Sequence, residues 1–161
     1  MTVYLDTSSL VKLYVAEPGS DGVRSLVAKA DVVATSAIAY PETRAALARR
    51  RRERALSAAA FTSAKRAFED DWSKYLALDV TVTLCARAGD LAERYRLRGY
   101  DSVHLASFIE IARRAGPSDV RFSSFDDHLN QAARRAARSL VRARPGQGAR
   151  AGSPTGEYSG R

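Results

Sequence analysis

Thr2-Val3-Tyr4-Leu5-Asp6-Thr7-Ser8 stands at the head of the chain. Four strand-forming residues stop at an aspartate, and Thr7 and Ser8 then offer hydroxyls to cap a helix running to about Tyr14. Pro18-Gly19 ends that helix. The same strand-to-helix handover recurs downstream. Ser20 caps a helix over about 21–30, and Val32-Val33-Ala34 reads as a second strand. Ser36 opens a long helix that runs into Arg49-Arg50-Arg51-Arg52, with a kink expected at Pro41 because proline removes a helical hydrogen bond. Ser57 caps a further helix, in which Phe61, Ala64, Phe68, Trp72 and Tyr75 recur at helical spacing. That spacing marks them as core or dimer interface.

Leu76 to Val82 holds a third short strand. Helices over about 84–97, closed by Gly99, and from Asp101 to about Arg114 follow. Val120 to Ser124 reads as the fourth strand and Asp126 to about Arg138 as the last helix, with Leu140-Val141 expected as a fifth, edge strand. Strands separated by helices imply a parallel sheet covered on both faces. The expected fold is α/β, a three-layer α/β/α sandwich around a central parallel sheet of four to five strands. Residues 1–143 form this domain. From Pro145 onward Pro, Gly, Ser, Ala and Arg dominate without periodicity, so 144–161 is expected to be a disordered basic tail.

Composition narrows the function classes. With 161 residues, 45% apolar and 27% charged, the chain suits one ordinary globular domain. No apolar run approaches the roughly 18 residues of a membrane span. Met1 leads straight into a strand, so no secretory leader is expected and the location expected is cytoplasmic. The single cysteine, Cys85, excludes an internal disulfide and suits a core position. Two histidines are too few for a His/Cys zinc site. The net charge is +8, yet the first 130 residues carry only +2 of it, so most of the excess lies near the C-terminus. Bulk charge is therefore a weak pointer to nucleic acid.

Four acids are more informative. Ligands of open parallel sheets bind beyond the carboxyl ends of the strands. Asp6 ends the first strand, Asp126 follows the fourth by two residues, and Glu42 lies early in the helix that leaves the second. A helix from Asp101 to about Arg114 is roughly 21 Å long, enough to cross the sheet. Few residues then separate it from the fourth strand, so Asp101 falls at the same carboxyl edge. Clustered carboxylates repel one another unless a cation joins them. Oxygen ligands suit Mg²⁺ or Mn²⁺, ions that polarise phosphoryl oxygens, which makes a phosphodiester the natural substrate. Each acid also has a plainer reading. Asp6, Asp101 and Asp126 suit helix N-caps, and Glu42 complements a helix dipole.

Leu5-Asp6-Thr7-Ser8-Ser9-Leu10, Tyr40-Pro41-Glu42-Thr43-Arg44, Tyr100-Asp101-Ser102-Val103-His104-Leu105-Ala106 and Phe122-Ser123-Ser124-Phe125-Asp126 occur in that order. Together they resemble the PIN-domain ribonucleases, most closely the VapC-type toxins of bacterial toxin–antitoxin pairs, over about residues 2–142. The resemblance implies that Asp6, Glu42, Asp101 and Asp126 hold one or two Mg²⁺ or Mn²⁺ ions and cleave RNA. It also implies that Ser124 supports the last carboxylate through its hydroxyl, and that the protein is a homodimer neutralised by a small antitoxin. Asp126-Asp127 departs from the pattern because either acid fits as the fourth ligand; Asp126 keeps the hydroxyl-x-Asp spacing.

Other residues have two readings. Arg49, Arg50, Arg51 and Arg52 suit an RNA backbone, and equally a solvated helix end. His104 shares a helix face with Asp101, where it either touches the acids or is a satisfied, half-buried histidine; His128 is expected at the surface. A haloacid-dehalogenase-like phosphatase also begins with a strand-end aspartate, but its chemistry needs a second aspartate where Ser8 stands. A catalytically silent RNA-binding or protein-interaction module on the same fold is the remaining alternative.

Overall fold

The computed structural model describes residues 1–143. Strands β1 (Thr2–Leu5), β2 (Val32–Ser36), β3 (Leu76–Leu78) and β4 (Val120–Ser123) form one sheet in the order β3-β2-β1-β4. All three pairings are parallel, with Val3 opposite Val33 on one side and Arg121 on the other. Helices α1 (Thr7–Leu10), α2 (Ser20–Ala28), α3 (Ala39–Arg52), α4 (Ala58–Trp72), α5 (Val82–Tyr95), α6 (Gly99–Ala115) and α7 (Asp127–Ala143) fill the connections. A short 3₁₀ turn, Val11–Leu13, follows α1. No helix among the described residues is long and apolar enough to cross a membrane.

Side-chain alternation along β1 sets the layers. Val3 and Leu5 point to one face, where they bury against Leu10, Val23, Ala39 and Phe68. Tyr4 points to the other, where it packs with Leu105, Phe108, Leu129 and Ala133 of α6 and α7. The α4 stripe is core, as its spacing requires: Phe68 is fully buried, and Trp72 and Tyr75 pack beside it.

Several local expectations yield to longer-range packing. Leu140-Val141 is not a fifth strand but part of α7. The apolar period Leu129, Ala132, Ala133, Ala136, Leu140 continues unbroken against the core, so extending the helix buries Leu140 while a strand would waste that register. The sheet therefore has four strands among the described residues. Cys85 is exposed, because the buried stripe of α5 passes through Leu84 and Ala88 and leaves the next position facing solvent. Gly99 begins α6 and does not close α5; Arg96, in the left-handed region at φ 54°, ends that helix. No kink is needed at Pro41, since α3 starts at Ala39 and proline falls in the first turn, where backbone N–H groups lack helical partners anyway. The expected tail lies outside the described residues.

One polar cluster fastens the α1–α2 loop to α3. Lys12 Nζ donates to Glu17 Oε1 at 2.8 Å and to the Pro18 carbonyl, and Arg50 donates to Glu17 Oε2 at 2.7 Å. Burial alone would raise the Glu17 pKa, but these two cations outweigh it and hold the carboxyl below its ordinary value. A depressed folded pKa contributes stability that is complete above the ordinary glutamate range and lost as pH falls through the folded value. Glu17→Gln is thus expected to cost about 1–3 kcal/mol at neutral pH and little in strong acid. Urea unfolding of both proteins at the two pH values checks this; a cost independent of pH would contradict the pairing.

Candidate active site

Asp6 is the first residue after β1 and caps α1, its Oδ1 accepting the Ser9 backbone N–H at 2.9 Å. The side chain is only 5% exposed, so its charge requires further donors. Ser8 Oγ lies 2.8 and 2.9 Å from the two carboxylate oxygens, and Ser124 Oγ donates to Oδ2 at 2.7 Å. Ser124 Oγ also accepts the Asp126 backbone N–H at 2.9 Å, and Ser8 Oγ that of Phe125 at 2.8 Å. These hydroxyls tie the start of α1 to the loop after β4.

Glu42, in the first turn of α3, faces a second group of donors. Thr7 Oγ1 donates to Glu42 Oε2, and His104 Nε2 approaches the same oxygen at 2.9 Å. Burial raises the Glu42 pKa, but the His104 and Thr7 hydrogen bonds prevail and lower it overall. An ionised Glu42 only accepts, so His104 Nε2 carries the proton in this contact. His104 Nδ1 lies 3.0 Å from the Tyr4 hydroxyl. Burial pushes the Tyr4 pKa far up, so the phenol keeps its proton and its hydroxyl shares a hydrogen bond with Nδ1. A continuous line thus runs from Tyr4 through His104 to Glu42.

Asp101 sits at the start of α6 and is half-buried. Burial raises its pKa first, and the negative charges of Asp126 and Asp6 add to the rise, against Arg98 and His104. Asp126 is half-buried and caps α7, with Oδ1 accepting the Leu129 N–H at 2.8 Å. Asp127 is exposed and is not among the charges acting on Asp101. Asp6, Asp101 and Asp126 therefore share one field at the carboxyl edge of the sheet, with Glu42 beside Thr7 on the same edge.

The donor set suits a hard divalent ion. It consists of oxygen alone, and a cation would relieve both the burial and the carboxylate repulsion that raise Asp101. Among the described residues, no three His, Cys, Asp or Glu side chains form a closed metal-binding group. Asp6 and Glu42 instead spend much of their acceptor capacity on neighbouring hydroxyls and His104.

The arginine run lies elsewhere. Arg50 is paired with Glu17 and Arg49 approaches Glu53 at 3.8 Å, whereas Arg51 and Arg52 are exposed. Arg50 stands about 12 Å along α3 from Glu42. His128 is exposed and bonds the Tyr95 carbonyl at 2.7 Å. Tyr4, Thr7 and Ser8 carry contacts that sequence inspection assigned only to a strand or a cap. A hydroxyl beside a strand-end acid was the available signal for Thr7 and Ser8; nothing local pointed to Tyr4.

Residues 3–135 match the PIN domain family. Ribonuclease VapC49 of Mycobacterium tuberculosis strain ATCC 25618 / H37Rv is similar at 40% identity over 109 residues, covering 68% of this chain and 76% of its own. Ribonuclease VapC45 of strain CDC 1551 / Oshkosh aligns with the same identity and coverage. Ribonuclease VapC46 of strain ATCC 25618 / H37Rv is 31% identical over 132 residues, 82% of this chain and 90% of that protein.

Ser124→Ala removes a donor from a buried carboxylate and an acceptor from a loop amide. It is expected to cost about 1–3 kcal/mol, with Ser124→Thr recovering most of the loss. Thermal unfolding of the three proteins measures this. Equal stability of the alanine and threonine variants would refute the tie.

Proposed function

The chain belongs to the PIN domain family, among the VapC ribonucleases, and on that premise we propose that it is a metal-dependent endoribonuclease, the toxin of a toxin–antitoxin pair. The observation that supports a working site is the convergence of Asp6, Asp101 and Asp126 at one edge, where burial first and the neighbouring carboxylates next raise Asp101 despite Arg98 and His104. Asp6, Glu42, Asp101 and Asp126 would hold Mg²⁺ or Mn²⁺. Such an ion, when bound, polarises a phosphoryl oxygen and lowers the pKa of water.

The remaining work falls to the chain. Ser8, Ser124 and the Ser9 N–H hold the Asp6 carboxylate in one orientation, so that little rearrangement accompanies binding. Thr7 and His104 do the same for Glu42, and Tyr4 holds the imidazole. Asp126 is placed by its own capping bond and by Ser124. We assign the fourth ligand to Asp126 over Asp127 because Asp126 is the one whose charge reaches Asp101. Arg51 and Arg52 are left to phosphates remote from the cut. The proposed partners are RNA, a small antitoxin that covers the acidic edge, and a second copy of the chain in a homodimer, all in the cytoplasm.

Purified protein is expected to cut a mixed tRNA and rRNA pool in Mn²⁺ and to stop in EDTA. Asp6→Asn, Glu42→Gln and Asp101→Asn should each lower the rate by about a hundredfold or more. Mn²⁺ should also raise the melting temperature of the parent chain, and raise that of Asp101→Asn much less. A folded, antitoxin-free protein inactive on every pool would favour a silent module on this fold. Cutting that survives EDTA and all three substitutions would remove the acids from the mechanism.

A further inference from the structure

We propose that the groove between α2 and β4 cradles the single-stranded RNA beside the cut, with Phe125 as a base-stacking platform and Lys29 and Arg121 as phosphate contacts. This role presupposes the ribonuclease chemistry above and adds a place for its substrate.

Phe125 stands between Ser124 and Asp126 and is 50% exposed, although aromatic rings usually seek the interior. The ring is nevertheless held. Lys12 Nζ sits 4.1 Å from its centroid, and the Phe125 backbone N–H is bonded to Ser8. Gly19, at φ +92°, lies against the ring edge: a Cβ there would come within 2.4 Å of Cε1. An exposed aromatic fixed in place beside a catalytic-type acid loses little entropy on taking a base against its face.

The groove continues from this ring. It has a volume of about 450 Å³ and passes between the small residues Gly22 and Ser25 of α2 and the side chains of β4. Arg121 and Ser123 lie on one side of β4, and Phe125 follows in the bend just past the strand's end. Lys29 lines the groove from the end of α2. Both cations are exposed, and among the described residues neither is engaged in an ion pair.

Charge sets this groove apart. Three other cavities among the described residues each hold two carboxylates: Asp79 and Glu110, Asp31 and Asp71, and Asp90 and Glu110. The α2–β4 groove is lined by two cations and no acid. Phe125, which lines it, is the residue before Asp126 at the carboxyl edge of the sheet. A strand of alternating bases and phosphates matches a ring at one end and free cations at the other.

The test uses the full chain carrying Asp101→Asn, expected to cut slowly enough for binding to be read, and a short fluorescein-labelled single strand of uridines followed by anisotropy. Phe125→Ala is expected to weaken binding about tenfold or more, and Phe125→Trp to restore it. Lys29→Ala and Arg121→Ala should each flatten the slope of log affinity against log salt by about 0.7. Circular dichroism confirms that each variant is folded. Unchanged affinity in all three alanine variants, with the parent chain still cutting RNA, overturns the groove and leaves the ribonuclease standing. A parent chain that neither binds nor cuts RNA overturns both. Displacement of RNA by polyglutamate that is as effective with Phe125→Ala as without it would assign the groove to an acidic polypeptide instead.

Discussion

A charged carboxylate buried at the end of the central strand is the constraint around which this molecule is arranged. Asp6 is almost wholly removed from solvent, and an ion in that position persists only with donors on every side. The donors come from Ser8, Ser9 and Ser124, two segments more than a hundred residues apart in sequence. Satisfying one acid therefore fixes the first turn of α1 against the loop that leaves β4. That loop carries Asp126, so the position of the last acid follows from the needs of the first. The second fastening, from Tyr4 through His104 to Glu42, joins β1 to α6 and α3 in the same way. Both run through groups that would be costly to leave unpaired.

Much of this was legible in the residues themselves. Short apolar strands alternating with amphipathic helices dictate a parallel sheet, and a parallel sheet forces successive strand ends to one edge. Asp6, Glu42, Asp101 and Asp126 could thus be placed at the same edge of the sheet by chain geometry alone. Side-chain pairing was less accessible. Thr7 and Ser8 are good capping residues, but Asp6 itself takes the cap, which frees their hydroxyls for Glu42 and Asp6. Tyr4 looked like one more strand residue because its partner lies a hundred positions away. His104 proved to be both a buried, satisfied histidine and a neighbour of the acids; the two readings were never exclusive.

The misplacements share a cause. Leu140-Val141 has strand-forming character when read alone, yet helical periodicity set up ten residues earlier carries through it. Cys85 falls at an apolar-looking position, but the face of α5 that meets α6 is displaced from it by one residue. Pro41 disturbs a helix only if the helix has already begun well before it. In each case a local preference was overruled by register, a property of a whole element and its packing partner.

The helical fate of Leu140 has a consequence for solubility. With no fifth strand among the described residues, β4 is left as an outer strand with one row of backbone groups unpaired. Such a border invites strands of other molecules to add to it, above all while chains are newly made and concentrated. Here the border is four residues long and carries the exposed cation Arg121 in its middle. Two copies that approached border to border would bring like charges together. The same side chain offered to a polyanion thereby discourages the chain from polymerising with itself.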